Sequence, residues 1–273
     1  MAISPTLRPD CGSCFALCCT ALGFSRSADF AIDKPAATPC PNMADDFSCS
    51  IHQRLRPRGF SGCTVYDCFG AGQVVSQHHF GGIGWVQDPS SQALMFVVFK
   101  MVRQLHEMLW YLAEAQRRTL DPDAASAALM VSMRIEAAVQ GDARAVLATD
   151  VESLHGEVRA LLMDVSAEVR ASYAAEGRGK HDGGLRPGAD LMGANLANRQ
   201  LCGADLRGAY LIGASLESSD LTAVDLLGAD LRDARLHGTD LTNSLYLTQP
   251  QINAAQGSTD TRLPEGLTTP DHW

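Results

Sequence analysis

The sequence predicts a multidomain α + β protein in three successive parts: a cysteine-rich metal-binding module, a helical middle and a solenoid of stacked five-residue turns. Eight of the nine cysteines lie between Cys11 and Cys68, and leucine recurs every five residues from Leu191 to Leu241. Between these regions, apolar residues recur every three or four positions, which is the spacing of one helix face. The predicted division is residues 1–89 for the cysteine-rich module, 90–173 for the helical segment, 174–184 for a linker and 185–273 for the solenoid.

Composition and charge exclude several classes of protein. The chain has 273 residues, of which 46% are hydrophobic and 19% are charged, as in a globular protein. Its net charge of −9 argues against direct nucleic-acid binding through a basic surface. The N-terminus has no apolar run typical of a signal peptide, and a membrane span would need about 20 apolar residues. We therefore expect a cytoplasmic protein without membrane contact, in which thiols stay reduced.

The cysteine spacing indicates a metal site. Cys11 and Cys14 are separated by two residues, so both thiolates can reach one ion, and soft thiolate ligands select zinc or an iron–sulfur cluster. Eight thiols exceed one tetrahedral site, so either two ions bind or some thiols are not ligands. Adjacent Cys18 and Cys19 point in different directions, so we do not expect both to serve one ion. The candidate metal ligands are Cys11, Cys14, Cys18, Cys19, Cys40, Cys49, Cys63, Cys68 and His52.

Three interpretations of this segment remain open: a structural metal that stabilises the fold, a redox-active or substrate-facing iron–sulfur centre, and metal-free core cysteines. The stretches CGSCFALCC and CSIHQRLRPRGFSGCTVYDC resemble the CxxCxxCC (YkgJ-type) family of zinc- or iron-chelating proteins. The resemblance covers about residues 10–72 and implies a bound zinc or iron. The chain departs from the family pattern by having three residues, not two, before Cys18.

The middle segment predicts three helices. The first spans Gln92–Arg118, and Asp121-Pro122 provides a cap and a first helical proline for the second, which ends at Gly141. A capping box at Thr149 and Glu152 predicts the start of the third helix. Its apolar stripe at three- and four-residue spacing favours core packing over a binding groove. The polar stretch 174–184 is predicted to be a linker.

The five-residue leucine period fits neither regular element. On a helix the leucines would spread around the whole surface, and on a strand an odd period would alternate between faces. A short extended piece followed by a turn places every leucine inside a stack of coils. The pattern A-(D/N)-L-x-x over Ala189–Asn243 resembles the pentapeptide-repeat family, which implies a right-handed quadrilateral β-helix with four repeats per coil.

The outward-facing positions of the repeat are rich in acidic residues. Residues 185–273 contain six Lys and Arg residues against eleven Asp and Glu residues, and Cys202 is expected to face outward as a surface thiol. The aspartates that precede the central leucine are expected to face solvent: Asp190, Asp205, Asp220, Asp225, Asp230 and Asp240. They have two interpretations, a surface that mimics DNA or side chains that suit turns by bonding nearby backbone N–H groups.

The C-terminal end of the repeat is predicted to be covered. Thr248 and Gln251 form a capping box for a short helix that ends near Ala255. The terminal Trp273 is expected to pack as a structural plug over the open end of the solenoid.

These features favour a metal-binding interaction or scaffold protein with a protein partner and no catalysis of its own. One alternative is an iron–sulfur-dependent enzyme or electron carrier, and another is a DNA-mimic effector of a type II topoisomerase. The expected cofactor is zinc or iron, with an iron–sulfur cluster as one form of the latter. The sequence leaves the oligomeric state, the substrate and the partner open.

Overall fold

The computed structural model describes residues 5–175 and 184–273. It divides into two compact units, and the predicted linker at 174–184 lies mostly outside the described residues. The first unit comprises residues 1–113 and 126–159, and the second comprises 114–125 and 160–273. The segment predicted as one helical part is therefore shared between the units. Within the described residues, no helix is long and apolar enough to cross a membrane.

Helices dominate the region between the cysteines and the repeat. The α-helices are α1 Leu17–Ala21, α2 Ser61–Thr64, α3 Ala71–Gln73, α4 Gln92–Arg118, α5 Pro122–Gln140, α6 Ala143–Leu147, α7 Val151–Ala175 and α8 Gln249–Ala254. Short 3₁₀ turns lie at Pro5–Leu7, Cys11–Ser13, His52–Arg54, Arg56–Arg58 and Pro89–Ser91, and a π-helical turn lies at Val74–His79.

The predicted bounds of α4 and α5 are confirmed. In this region, the apolar periodicity and the capping residues of the sequence indicate the same helix ends. The start of α7 differs from the prediction. The Asp150 carboxylate, and not Thr149, accepts a hydrogen bond from the Ser153 N–H at 3.0 Å. The Thr149 hydroxyl instead donates to the carbonyl of Ala145, at the end of the short helix α6 that the sequence analysis missed.

The repeat forms a parallel ladder with a register of twenty residues. Asp190 pairs with Tyr210, and Asn195 pairs with Ser215, and the same offset continues to the pair of Asp225 with Leu245. Twenty residues are four pentapeptides, so one coil contains four repeats, as the resemblance implied. Each pairing is an isolated bridge and not part of a continuous strand, since a turn interrupts the backbone in every repeat.

The turn explains the glycines of the repeat. The residue two positions after each central leucine, from Gly193 to Gly238, has a left-handed backbone with φ between 55° and 76°. Glycine adopts this conformation without a steric penalty, and it occupies the position in six repeats. Ala223 and Ser218 are among the residues that adopt it despite a side chain.

The coil interior is a ladder of leucines. Leu201, Leu206 and Leu216 are buried, and Val224 fills a position where most repeats have alanine. The ladder extends beyond the predicted repeat, because Gln256 pairs with Arg235 and Arg262 pairs with Asp240.

The predicted C-terminal cap is present. In α8, the Gln251 Oε1 accepts a hydrogen bond from the Thr248 N–H at 2.9 Å, which forms the capping box. The Trp273 indole packs against the leucine core and donates to the carbonyl of Ala255 at 2.9 Å. This position confirms the expectation that the terminal tryptophan is structural.

The substitution Gly257→Ala is expected to loosen this cap. A Cβ at Gly257 would lie 2.3 Å from the Trp273 ring, so the indole would have to leave its place. Overpacking of this kind costs about 1–3 kcal/mol, which would lower the melting temperature of the second unit. Gly184→Ala is the matched control, because a Cβ there meets nothing within 4 Å. Equal melting temperatures for the two variants would contradict the packing role of Trp273.

Candidate functional site

The first cysteines lie on two successive turns. In the 3₁₀ turn Cys11–Ser13, the Asp10 carboxylate accepts a hydrogen bond from the Gly12 N–H at 3.1 Å. Helix α1 follows and carries Cys18 and Cys19. Ala16, which precedes this helix, has a left-handed backbone with φ of 53°. This bend lies within the three-residue spacer that departs from the family pattern.

One group of thiols forms where the chain returns to Cys14. A Cβ at Gly72 would lie 2.6 Å from the Cys14 Sγ and 3.9 Å from the Cys68 Sγ. The absent side chain of Gly72 therefore leaves the space that the Cys14 sulfur occupies, and the Cys68 sulfur lies at van der Waals distance from the same position. Burial, with a smaller contribution from Cys68 and Cys11, raises the pKa of the Cys14 thiol to about 11.

A second group of thiols forms around Cys63, on α2. Burial, with smaller contributions from Cys19, Cys40 and Cys49, raises the pKa of Cys63 to about 12. The backbone holds two of these residues together, because the Cys40 N–H donates to the carbonyl of Cys19 at 3.1 Å. Cys49 forms an antiparallel bridge with Met43, three residues after Cys40.

The two groups meet at the adjacent cysteines of α1. The Sγ atoms of Cys18 and Cys19 are 3.9 Å apart. A hydrogen bond from the Cys18 thiol lowers the pKa of Cys19 to about 7, against the opposing effect of burial, and the Lys34 ammonium also lowers it. The same contact raises the pKa of Cys18 well above its usual value. Cys19 is thus the thiol that ionises most readily in this pair.

A buried ammonium group lies beside the second group. The Lys34 Nζ donates to the carbonyls of Thr38 at 2.8 Å, Pro35 at 3.2 Å and Thr20 at 3.3 Å. All three donors of the ammonium are therefore used by backbone oxygens. Burial lowers the pKa of Lys34, and the thiols of Cys40 and Cys19 oppose this shift.

A buried hydroxyl lies beside the first group. The Tyr66 hydroxyl has no hydrogen-bond partner among the residues that the structure describes. Burial raises the pKa of Tyr66, and the thiols of Cys18 and Cys68 contribute to the shift. A buried hydroxyl without a partner is costly, and a thiolate next to it would accept its hydrogen bond.

Not every candidate ligand joins these groups. His52 lies exposed at the start of its 3₁₀ turn, and its backbone N–H donates to the carbonyl of Cys49. All nine cysteines are in the thiol form. In residues 5–175 and 184–273, no three His, Cys, Asp or Glu side chains already converge on a common metal position. A bound ion would require the Sγ atoms to rotate toward it about the Cα–Cβ bond, between staggered rotamers.

Sequence reasoning missed Lys34, Tyr66 and Gly72. Lys34 lies in a stretch without periodicity, and its contact with the thiols arises only when the chain folds back. Gly72 lies in α3, and the position of a Cβ on it is within 4 Å of the Cys14 and Cys68 sulfurs. In the sequence, the one indication that Gly72 lies near the thiols is its short spacing from Cys68.

One of the six aspartates predicted to face solvent is buried, whereas the other five are exposed or half-buried. Asp225 is fully buried, and its carboxylate accepts a hydrogen bond from the Ser166 hydroxyl of α7. Cys202 is also buried and not a surface thiol. α7 covers this face, since the position of a Cβ on Gly203 lies 3.6 Å from the Arg170 carbonyl.

Several other aspartates of the ladder are paired with arginine. Asp205 forms ion pairs with Arg207 at 2.6 Å and with Arg170 at 3.0 Å. Asp230 pairs with Arg232 in the same way, at 2.6 Å. The acidic ladder is therefore partly neutralised by its own neighbours, which weakens its likeness to a free phosphate backbone.

Two buried carboxyl groups of the second unit have raised pKa values. Burial raises the pKa of Glu114 to about 7, although Arg118 lies 3.5 Å away and the Tyr246 N–H donates to it at 3.0 Å. Burial likewise raises the pKa of Asp225 to about 6, against the lowering effects of Ser166 and Arg207.

Because the pKa values of these two carboxyl groups are raised, we predict that the second unit is more stable at acidic pH than at neutral pH. A group with a raised pKa in the folded state adds stability below its unfolded pKa, and this stability is lost as pH rises through the folded value. Between about pH 5 and 8, this contribution should fall by about 2.5 kcal/mol for Glu114 and by about 1.4 kcal/mol for Asp225, whose lower folded pKa places part of its loss below pH 5. The double variant Glu114→Gln, Asp225→Asn should flatten the dependence of the melting temperature on pH. Asp260→Asn, at an exposed site, is the control, and an unchanged pH dependence in the double variant would contradict the prediction.

Comparison with known proteins identifies the repeat and a close relative. The family model "Pentapeptide repeats" matches in eight copies, at residues 189–226 and 211–245. The chain is 46% identical over 267 residues to "Uncharacterized protein YybG" of Bacillus subtilis (strain 168), and the match covers 98% of this chain and 95% of that protein.

Two solved structures of pentapeptide-repeat proteins match part of the chain. The crystal structure of the pentapeptide repeat protein Rfr23 from the cyanobacterium Cyanothece 51142 is 30% identical, with a TM-score of 0.19, and the match covers 28% of this chain and 47% of that one. A pentapeptide repeat protein from the Arabidopsis thaliana thylakoid lumen is also 30% identical, with a TM-score of 0.13, and covers 27% and 65%, respectively. The repeat match and the nearly full-length relative together establish that this chain is a pentapeptide-repeat protein of the family that includes YybG.

Proposed function

We propose that the chain is a metal-binding protein whose cysteine-rich segment holds zinc or iron and whose β-helix presents a scaffold to a protein partner. It acts in the cytoplasm and has no catalysis of its own. The observation that carries the proposal is the proximity of cysteine sulfurs from separate stretches of the chain. The Cys14 and Cys68 sulfurs both lie within 4 Å of the Cβ position of Gly72, and the Cys18 and Cys19 sulfurs are 3.9 Å apart.

The donor set and its surroundings support a metal. Thiolates are soft ligands that favour zinc and iron–sulfur clusters over magnesium or calcium. Gly72 leaves room for the Cys14 sulfur, close to that of Cys68, and within the described residues the buried Tyr66 hydroxyl has no acceptor, which a metal-bound thiolate would supply. These features also support membership of the N-terminal segment in the CxxCxxCC chelating family.

The β-helix favours an interaction role over DNA mimicry. Asp225 is buried, and Asp205 and Asp230 are paired with arginine. Such a surface offers a partner mixed charges and turn backbone, so we place the recognition of a protein partner there.

Metal analysis of anaerobically purified protein, combined with its visible spectrum, tests the proposal. A colourless protein with bound zinc supports a structural metal. A brown protein whose absorption bleaches on reduction supports the iron–sulfur form of the same site. The variant Cys202→Ser is the control and should keep the full metal content, because Cys202 lies in the β-helix. Protein without zinc or iron, in which all eight N-terminal thiols react with an alkylating reagent, would overturn the proposal.

A further inference from the structure

We propose that one face of the β-helix binds an arginine side chain of the protein partner, which stacks on Tyr210 and pairs with Asp190. This inference rests on the proposed function, since it specifies where the β-helix is recognised and by which chemistry. The Tyr210 face consists of Asp190, Met192, Tyr210, Ile212, Asp230 and Arg232.

The ladder places these six residues on three neighbouring rungs. Tyr210 pairs with Asp190 on one side and with Asp230 on the other. Paired segments of such a ladder are about 4.8 Å apart. The same order holds two residues further along, where the Gly193 N–H donates to the carbonyl of Ile212 at 2.8 Å. The second column of the face therefore contains Met192, Ile212 and Arg232.

The Tyr210 face exposes apolar surface. Among residues 184–273, Met192 and Tyr210 are the two large hydrophobic side chains that lie exposed, at 57% and 51%. Tyr210 stands where most repeats carry an aspartate or asparagine, whose side chain bonds the N–H two residues later. A tyrosine cannot supply that bond, so the turn does not explain its presence. Tyrosine and methionine are enriched at protein interfaces, which indicates a contact surface.

The charge of the face is uneven. Asp230 forms an ion pair with Arg232 at 2.6 Å. Asp190 forms no ion pair among residues 5–175 and 184–273, and one of its carboxylate oxygens accepts a hydrogen bond from the Met192 N–H at 3.2 Å. The exposed Tyr210 ring thus lies between a neutralised carboxylate and one that still lacks a cation. The charge complement of this face is a single positive group.

A guanidinium group fits this face best. It is planar, so it can stack on an aromatic ring while its N–H groups donate to a carboxylate beside the ring. The first unit contains the same arrangement internally. The Arg103 guanidinium carbon lies 5.6 Å from the centre of the Tyr66 ring, and its Nη2 lies 3.4 Å from the Glu107 carboxylate.

The apolar column defines the sequence around that arginine. Met192 stands two residues after Asp190, and Ile212 stands two residues after Tyr210. In an extended segment, side chains two residues apart lie on the same side. We therefore expect the partner to present an arginine with an apolar residue two positions away.

The peptide acetyl-Leu-Gly-Arg-Gly-Leu-amide tests the site, because it presents leucine two residues from the arginine in either chain direction. Added to the ¹⁵N-labelled full chain, it should shift the amide signals of residues 190–193 and 210–213, with a dissociation constant on the order of 1 mM. Replacement of its arginine by citrulline keeps the shape, removes the charge and should weaken binding about fivefold or more. Equal affinity of the two peptides, or unshifted signals at about 10 mM peptide, ten times that constant, would overturn the inference.

Two variants locate the interaction on the chain. Tyr210→Asn removes the ring and Asp190→Asn removes the charge, and both should stay folded because Asn195 occupies the same position of the repeat. Each should weaken binding of the arginine peptide about two- to fivefold, the range of an exposed cation–π contact or ion pair. Asp220→Asn, at the same repeat position in another column, is the matched control and should leave the affinity unchanged. Unchanged affinity in Tyr210→Asn, or an equal loss in the control, would contradict the assignment.

Two further measurements separate this inference from its alternatives. A concentration-dependent dimer that Tyr210→Asn abolishes would make a second copy of the chain the occupant of the face, and the arginine assignment would then be wrong. A chain that holds zinc or iron but does not bind the peptide overturns this inference alone. A chain without zinc or iron overturns the proposed function, whatever the peptide does.

Discussion

Removal of the metal is expected to unfold the cysteine-rich segment. The apolar cluster of Ile51, Leu55 and Phe60 within it is small, and many of its residues lie in turns without regular structure. A structural zinc contributes about 10–16 kcal/mol in apparent terms, which exceeds the net stability of most small domains. Treatment with a chelator should therefore abolish hydrogen-exchange protection at residues 11–68 while the ladder at 189–245 keeps its protection.

The variant Cys14→Ser should reproduce part of this effect, lowering bound metal and solubility together. Cys202→Ser is the matched control, as a buried thiol outside the cysteine-rich segment. Unchanged protection of residues 11–68 after complete removal of the metal would show that the ion does not stabilise the fold.

The substitution Leu216→Asp is expected to unfold the β-helix. Leu216 is fully buried among the stacked leucines. A carboxylate placed there would be desolvated without a partner. The coils on either side would also lose stability, because each coil of a solenoid is stabilised by its neighbours. The cost should exceed about 4 kcal/mol, the range of severe core substitutions. Circular dichroism and limited proteolysis should report the loss of residues 189–262.

Tyr210→Asp is the matched control for this change. Tyr210 is exposed and stands directly before Leu211, at the position where most repeats carry aspartate or asparagine. We expect that variant to remain folded. Leu216→Asp should retain the metal of the cysteine-rich segment, and loss of both the β-helix and the metal would contradict the independence of the two parts.

The sequence predicted those features that depend on periodicity. The leucine period predicted a stack of coils, and the resemblance to the pentapeptide-repeat family implied four repeats per coil. The bounds of α4 followed from its apolar pattern and the capping of the next helix. These features are local, because each repeat or turn encodes its own geometry.

The sequence did not predict the features that depend on packing between segments distant in the chain. Asp225 and Cys202 occupy outward positions of the repeat, yet both are buried, and the Ser166 hydroxyl of α7 bonds the Asp225 carboxylate. A repeat pattern predicts the direction of a side chain and cannot predict which distant segment packs over it. Lys34 and Tyr66 escaped notice for the same reason, since their proximity to the thiols exists only in the folded chain.

Native mass spectrometry of the anaerobically purified chain tests the central claim most directly. We predict a mass that exceeds that of the metal-free polypeptide by bound zinc or by an iron-containing group, and that returns to the polypeptide mass on acidification. A chain that has the metal-free mass before acidification, with its eight N-terminal thiols open to alkylation, would contradict the account.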